Sequence, residues 1–406
     1  MTSTYGRVID WATDLDHIDP AYNRNAPEIW RTVRDSGCPV AHTDRYHGMW
    51  VPLTHEYVSE VAYDTEHFTS RGVVVSRGVM DDFPEGPIGG APPITSDPPF
   101  HHHARRILLP PFSPKAIERW EPEIRALCAG LAEAVAADGP GVVDASERYA
   151  QHIPVDVIAR MLGLPPDDGD LFRKFVHDAL EAVDVSTEQR IAYSDELDAY
   201  LDERISEHEA ERADDLISYL LGVELFGERL SRAHVRGCLV LLLIAGIDTT
   251  WSAIGSSLWH LATHPEDRRR LVADHDLMPT AIEELLRAYA PVTMARFVAE
   301  DLDFHGHQLK VGEWVLLPFP AANRDPAAFD RPDEVVIDRA ENRHAAFGLG
   351  IHRCLGSNLA RLELRVALEE FLARVPEFEL ADPTGNDVVW SVGQVRGPRV
   401  LPLRIP

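Results

Sequence analysis

The sequence predicts a mainly α-helical fold with a minor β region, and three observations carry that reading. Residues 116–230 read as helices separated by breaks at Asp138-Gly139-Pro140-Gly141, Gly163-Leu164-Pro165-Pro166 and Gly227. A second helical pattern, over residues 233–263, is almost wholly apolar from Cys238 to Ile247, as a buried helix must be. Strand signals are short and scattered: residues 49–53, 292–296 and 315–317, then a terminal hairpin made of Trp390-Ser391-Val392-Gly393 and residues 400–405. After a polar lead (residues 1–20), a helical pattern runs over residues 26–35, and a long charged one over residues 192–211.

Composition narrows the class before any motif is read. The chain has 406 residues, 45% hydrophobic and 26% charged, in the range of ordinary globular proteins. A net charge of −27 argues against nucleic acid and anionic membranes as partners. Four scattered cysteines, Cys38, Cys128, Cys238 and Cys354, form no disulfide framework and fit a reducing cytoplasm. The N-terminal residues lack the apolar core of a signal peptide, and the 238–247 run is too short to span a bilayer. A cytoplasmic protein without a membrane anchor is expected.

The most informative stretch is Phe347-Gly348-Leu349-Gly350-Ile351-His352-Arg353-Cys354-Leu355-Gly356. Its glycines permit a tight turn with bare backbone. A helical pattern with Leu355, Leu359, Leu362 and Val366 on one face starts at the cysteine. Cys354 is thus expected at or next to a helix N-terminus, where free N–H groups and the dipole favour a thiolate. Read alone, the stretch fits a buried structural cysteine in a Gly-rich turn. A zinc site would need four ligands, and His352 and Cys354 offer two with no second pair nearby. A thiolate beside bare backbone and cationic side chains also suits an iron macrocycle with anionic edges. The ten residues closely resemble the haem-binding loop of the cytochrome P-450 superfamily, Phe-Gly-x-Gly-x-His-x-Cys-x-Gly, without a mismatch. The resemblance implies haem b as cofactor and Cys354 as the proximal iron ligand, held in a loop with Phe347, Gly348, His352 and Gly356.

Further motifs extend the resemblance over residues 20–405. Asp97-Pro98-Pro99-Phe100-His101-His102-His103-Ala104-Arg105 places His101 and Arg105 on one helix face, where a carboxylate would suit the pair. Consecutive histidines do not share a face, so a triple metal-ligand set is not expected. The pattern resembles the family's Asp-Pro-Pro-x-His-x-x-x-Arg, whose His and Arg hold a haem propionate; His102 and His103 depart from the usual residues.

Within the buried helix stands Ala245-Gly246-Ile247-Asp248-Thr249-Thr250. Gly, Asp and Thr each cost roughly 0.5–1 kcal/mol against Ala in a helix interior, and local rules broken in a core mark function. Thr249 can bond back to the Ala245 carbonyl, which would loosen the helix and leave a groove at Gly246 for dioxygen and a water. The alternative is a kinked core helix with Asp248 turned to a buried arginine. By resemblance, Asp248 and Thr249 are the acid–alcohol pair that relays protons to dioxygen.

Thr280-Ala281-Ile282-Glu283 reads as a capping box, and Glu284 and Arg287 then share a helix face. A lone Glu-x-x-Arg is a weak signal. By resemblance it is a structural pair on the proximal side of the haem, with Arg339 as a third member. The resemblance also implies that Arg296 binds a propionate while Val292 and Met294 face the substrate. Leu243, Ile244, Ile247 and Val392 would complete an apolar pocket. The Gly- and Pro-rich loop over residues 73–93 and the helices around residues 172–185 would close over it. Arg71 and Arg77 would meet an anionic substrate group, the haem edge or solvent.

Cofactor contacts at His101, Thr249, Arg296 and Cys354 require residues 1–406 to fold as one unit, and the resemblance implies the triangular haem-thiolate prism. It implies a monooxygenase that inserts one atom of dioxygen into a small to medium hydrophobic substrate, aromatic ones included, by hydroxylation or oxidative dealkylation. No flavin or iron–sulfur segment follows, so electrons are expected from separate proteins, a ferredoxin and its reductase. Arg105, Arg106, Lys115, Arg343 and Arg353 cluster around segments expected on the Cys354 side, and Arg106, Lys115 and Arg353 are the expected docking patch for an acidic ferredoxin. A peroxide-driven peroxygenase is the nearest alternative, but such relatives lack the Asp–Thr pair. A non-catalytic haem sensor would carry an output domain.

Overall fold

The computed structural model describes residues 6–37, 39–75, 80–83, 89–182 and 185–406, so Cys38 and Arg77 lie outside the described residues. Its centre is the helix Arg232–Thr263, which starts where the Ser231 hydroxyl accepts from the His234 N–H. By length and composition alone this helix could cross a bilayer. Instead it forms the core: Leu239, Leu243, Ile247, Ile254 and Leu258 are fully buried. It packs against the helices His152–Leu162, Thr187–Ala210 and Ser357–Arg374. Burying each such side chain contributes about 1.5–3 kcal/mol. Thr187–Ala210 has a true capping box, Ser186 with Gln189, and leans on the central helix through Leu197, Leu201 and Ile205.

The minor β region is a five-stranded sheet in the order Val40–Thr43, Met49–Pro52, Trp314–Pro318, Thr293–Val298, Phe68–Thr69. Trp314–Pro318 runs parallel to Met49–Pro52 and the other pairs are antiparallel. Alternation along Thr293–Val298 decides what the sheet presents. Ala295 and Phe297 pack with Trp314 and the N-terminal helix, whereas Met294 belongs to the other face. Arg296 is two residues from Met294, so the two share that face.

Several boundaries differ from expectation. The N-terminal helix is Pro20–Asp35, continuing through Pro27 across a kink at Asn25, where a proline signals a break. The helix after the cysteine starts at Ser357, with Gly356 as its cap, and not at Cys354. The expected capping box at Thr280 is absent: the helix Met278–Ala288 starts earlier. The Thr280 hydroxyl donates to the Leu277 carbonyl at 2.9 Å, and Glu283 turns to Arg361 at 2.6 Å and His344 at 3.1 Å. The terminal hairpin joins Val389–Trp390 to Pro398–Val400 only. At Leu401 the chain changes partner, its N–H donating to Asp144 Oδ1 at 3.0 Å. Pro402–Ile405 then pairs with Gly141–Asp144 and Glu379–Leu380.

Candidate active site

The cysteine loop is held from several sides. Gly348 (φ 71°) and Gly350 (φ 67°) occupy the left-handed region, and a Cβ on Gly350 would collide with the Ala62 carbonyl. The Cys354 N–H closes the loop onto the Phe347 carbonyl at 2.7 Å. The Arg361 guanidinium lies 4.3 Å from the centre of the Phe347 ring. Cys354 itself is accessible, yet burial pushes its thiol up; the Gly356 N–H and the charges of Arg105, Arg361 and Arg353 oppose this. Both hold for a sulfur that faces an internal space rather than the outer surface. The helix-terminal N–H groups favour a thiolate as expected, through Gly356, but burial opposes them more strongly.

Around this loop the structure gathers His101, Arg105, Arg296 and His352. The His352 Nε2 is 2.9 Å from Ser70 Oγ, and Asp97 fixes that segment by accepting from the Ser70 N–H at 2.8 Å and from the Thr69 hydroxyl. His101 meets His352 edge to face with ring centres 4.4 Å apart. His101 is 1% exposed, and among the described residues neither of its ring nitrogens has a partner. Burial, with the nearby Arg105 charge, pulls it down to about 4. Arg105 donates to the Arg353 carbonyl at 2.5 Å. Arg296 is also buried, and burial pulls its pKa down to about 10. Its Nη1 donates to the Ala295 carbonyl at 2.7 Å, and no carboxylate pairs with it among the described residues.

A buried imidazole with neither nitrogen partnered and a buried guanidinium with no carboxylate cost several kcal/mol unless something satisfies them. A flat group bearing two carboxylates, with a metal at the sulfur, would do so. Haem b fits on that ground.

The central helix supplies a second chemical surface. It is continuous through Ala245–Thr250, with no kink. Ala245 is exposed and Thr249 partly so, although most of the helix is buried. The Thr249 hydroxyl donates to the Ala245 carbonyl at 2.9 Å. A Cβ on Gly246 would meet Ile158 at 3.0 Å. Its small size thus serves helix packing, and the accessible face is that of Ala245 and Thr249. Asp248 points elsewhere. It is fully buried, its Oδ1 paired with Arg399 and its Oδ2 without a partner among the described residues. Burial pushes it up to about 6 against the pull of Arg399. The back-bonded threonine and the aspartate paired with an arginine are both present, but the expected loosening and groove at Gly246 and the alternative's kink are not, since the helix stays regular and Ile158 fills the space at Gly246.

Of the expected pocket residues, Ile244, Val292, Met294 and Val392 keep accessible surface. Leu243 and Ile247 do not; both are fully buried in the core, which corrects their assignment. They are one helical turn apart, and at about 100° per residue their face lies away from Ala245 and Thr249. Arg71 donates to the Phe83 carbonyl at 3.3 Å.

Glu284, Arg287 and Arg339 meet as expected, with Glu284 and Arg287 fully buried and joined by two contacts of 2.8 Å and Arg339 at 2.9 Å from Glu284. Arg106, Lys115, Arg343 and Arg353 are exposed and, among the described residues, form no ion pairs. Sequence reasoning missed Arg399 and Glu181, which touch Asp248 directly or through one bridge. Neither sits in a motif, and Arg399 is 151 residues from Asp248. Asp97 and Ser70 were visible in the sequence, but nothing local tied them to His352.

Known proteins give an independent comparison. The Cytochrome P450 family model matches residues 171–389. The chain is 34% identical over 359 residues to the mycinamicin IV hydroxylase/epoxidase of Micromonospora griseorubida, covering 87% of this chain and 89% of that one. It is 33% identical over 419 residues to the vitamin D3 dihydroxylase of Streptomyces griseolus, covering 98% and 100%. Among solved structures, CYP109E1 from Bacillus megaterium in complex with testosterone superposes with a TM-score of 0.85 at 30% identity, over 95% of this chain and 99% of that one.

Proposed function

The chain belongs to the cytochrome P450 family and is a haem-dependent monooxygenase; on that premise we propose that Cys354 ligates the iron, that His101, Arg105 and Arg296 hold the propionates, and that Asp248 and Thr249 deliver protons. The observation that carries the reading is a buried His101 with neither ring nitrogen partnered and a buried Arg296 with no carboxylate partner among the described residues, gathered beside an accessible cysteine. Haem b, when bound, supplies reductive activation of dioxygen and transfer of one oxygen atom to the substrate.

The chain's own groups do the rest. Cys354 would hold the iron as a thiolate, a form favoured by the charges of Arg105, Arg361 and Arg353. Thr249 has its hydroxyl proton engaged by Ala245, so its oxygen lone pairs remain free to accept from a water. Asp248, poised at about 6, can both take and give protons near neutral pH. Its Oδ2 has no partner among the described residues and is the oxygen left to carry the proton. Ile244, Val292, Met294 and Val392 exclude water and select an apolar molecule. We infer a small to medium hydrophobic substrate, hydroxylated or oxidatively dealkylated; relatives named for vitamin D3 and mycinamicin support that class. The 406 residues act as one unit in this scheme.

Thr249→Ala is expected to keep NADH consumption while product gives way to hydrogen peroxide, because protons then arrive without a positioned acceptor. Asp248→Asn is expected to slow turnover by about a hundredfold, within the usual contribution of general acid–base catalysis. Product and peroxide assayed together decide the matter, and full product yield from both variants would refute the proton-delivery roles.

We further propose a cytoplasmic enzyme served by a ferredoxin and its reductase. Support comes from four exposed, unpaired cations on or beside the cysteine loop and the nearby helices, in a chain of net charge −27. Charge reversal at Arg106, Lys115 and Arg353 is expected to cut the ferredoxin-dependent rate, more strongly at low salt, with substrate binding unchanged. Equal rates for variant and wild type across an ionic-strength series would rule the patch out.

A further inference from the structure

Gln394 lies in the loop of the terminal hairpin, between Val389–Trp390 and Pro398–Val400, and is 3% exposed. That loop is laid against the start of the strand Thr293–Val298. The Thr293 N–H donates to the Gln394 carbonyl at 2.8 Å, the Arg396 N–H donates to the Pro291 carbonyl at 2.7 Å, and Val292 pairs with Val395. A second segment reaches the same strand from the other end. Phe68–Thr69 pairs with Val298 and Phe297, and the Ala295 N–H then donates to the Val73 carbonyl at 2.9 Å. At Val75 the partner is no longer backbone but the Gln394 side chain. The amide satisfies its neighbours in one orientation. Its nitrogen then donates to the Thr293 carbonyl at 2.6 Å, and its oxygen accepts from the Val75 N–H at 3.1 Å and from His17 Nε2 at 3.0 Å. One side chain thus supplies a rung between two backbone segments.

His17 is built to hold that amide. It is buried, and burial pulls its pKa down to about 4 against the charge of Asp16. The ring is therefore neutral near pH 7, with its single proton on Nε2, the nitrogen that faces Gln394; Nδ1 has no partner among the described residues. The Tyr46 ring lies 5.6 Å from it between centres. Its neighbour Asp16 accepts from the Tyr46 hydroxyl and from Arg45 Nη1, each at 2.8 Å. A buried polar network in which every member is satisfied rigidifies its surroundings and specifies one arrangement. The segments fixed here carry Val292 and Met294, which flank Thr293, and Val392, two residues before Gln394; all three keep accessible surface.

We propose that Gln394, oriented by His17, is a specificity-determining residue: it acts through Thr293 and Val75 as a latch that holds residues 73–75 against the strand carrying Val292 and Met294, and so limits the size of the hydrophobic molecule that the pocket admits. The inference rests on the reading of Val292, Met294 and Val392 as pocket walls. Neither latch residue touches the substrate in this scheme. His17 acts through the amide, and the amide acts through the two backbone segments it joins.

The test uses the haem-loaded enzyme and two azoles that bind the iron but differ in size, imidazole and clotrimazole. Wild type, Gln394→Leu, His17→Phe, the double variant and Met294→Ala are titrated with each, and the Soret shift gives the affinities. Gln394→Leu is expected to raise the ratio of clotrimazole to imidazole affinity about tenfold, the scale of one or two lost hydrogen bonds, with imidazole binding unchanged. His17→Phe should raise the ratio less, because Thr293 and Val75 keep their partner. The double variant should match Gln394→Leu alone, since His17 acts only through the amide. A merely structural brace would lower haem loading or weaken both azoles alike. A ratio at or below the wild-type value in Gln394→Leu would overturn the proposal, and so would a double variant whose shift is the sum of the single ones. If Gln394→Leu fails to load haem, His17→Phe decides: a raised ratio supports the latch and a wild-type ratio overturns it. Met294→Ala tests the pocket reading separately. A ratio unmoved by Met294→Ala would refute Met294 as a wall, and the latch would still stand or fall on the Gln394 and His17 variants.

Discussion

Glu284→Ala is expected to leave little folded, haem-loaded protein. The Glu284 carboxylate accepts from Arg287 at 2.8 Å through each oxygen, from Arg339 at 2.9 Å, from the Val336 N–H at 2.8 Å and from Asn342 at 3.1 Å. Burial alone would push it up, but these partners outweigh desolvation and hold it below the ordinary carboxylate range. Truncation leaves two arginines without their anion, one of them fully buried. Breaking a buried pair in this way costs about 3–5 kcal/mol, a large share of a typical total of about 5–15 kcal/mol. The loss would spread to the haem loop. Arg287 also donates to the carbonyls of Asn323, Pro332 and Glu334 at 2.7–2.8 Å, and the Asn323 side chain accepts from the Ala345 N–H at 2.7 Å, two residues before Phe347. Haem yield and thermal unfolding measure the effect; a variant that loads haem and melts like wild type would show that the cluster is dispensable.

Arg296→Met should produce two effects of opposite sign. In the haem-free chain Arg296 is a buried charge without a carboxylate partner among the described residues, and burial already pulls its pKa down to about 10. Replacing a buried charge by an apolar side chain of similar volume is neutral or stabilising by about 1–4 kcal/mol. The apoprotein is thus expected to melt at the same temperature or higher. Haem affinity should fall, because a buried charge-assisted pair loses one partner at a cost of about 2–5 kcal/mol, or about thirtyfold or more in affinity. Haem transfer to an acceptor protein and apoprotein melting measure the two separately. A variant with a less stable apoprotein and undiminished haem affinity would contradict the role given to Arg296.

What the sequence made legible was local chemistry. The cysteine loop, the His101/Arg105 spacing and the Ala245–Thr250 interruption were readable because each breaks or satisfies a rule within a few residues. The central helix was placed to within one residue at its start and at Thr263 at its end, since a long apolar period is a strong signal. Leu243 and Ile247 were misassigned because composition says that a residue is apolar but not which way a helix turns it. The capping box at Thr280 failed because Glu283 had a stronger partner in Arg361, 78 residues on. Arg399, Glu181 and the Asp97–Ser70–His352 relay depend on contacts between distant segments, and no periodicity encodes those. The raised thiol of Cys354 was invisible for a related reason: desolvation depends on everything packed around the loop.

The most direct measurement is the absorption spectrum of the reduced carbon monoxide complex, taken for wild type and for Cys354→His side by side. A thiolate opposite the carbon monoxide should give the red-shifted Soret band in wild type. Cys354→His should retain some haem through His101, Arg105 and Arg296 yet lose that band. A red-shifted band that survives in Cys354→His would mean that Cys354 is not the axial ligand, and the assignment of the whole site would fall with it.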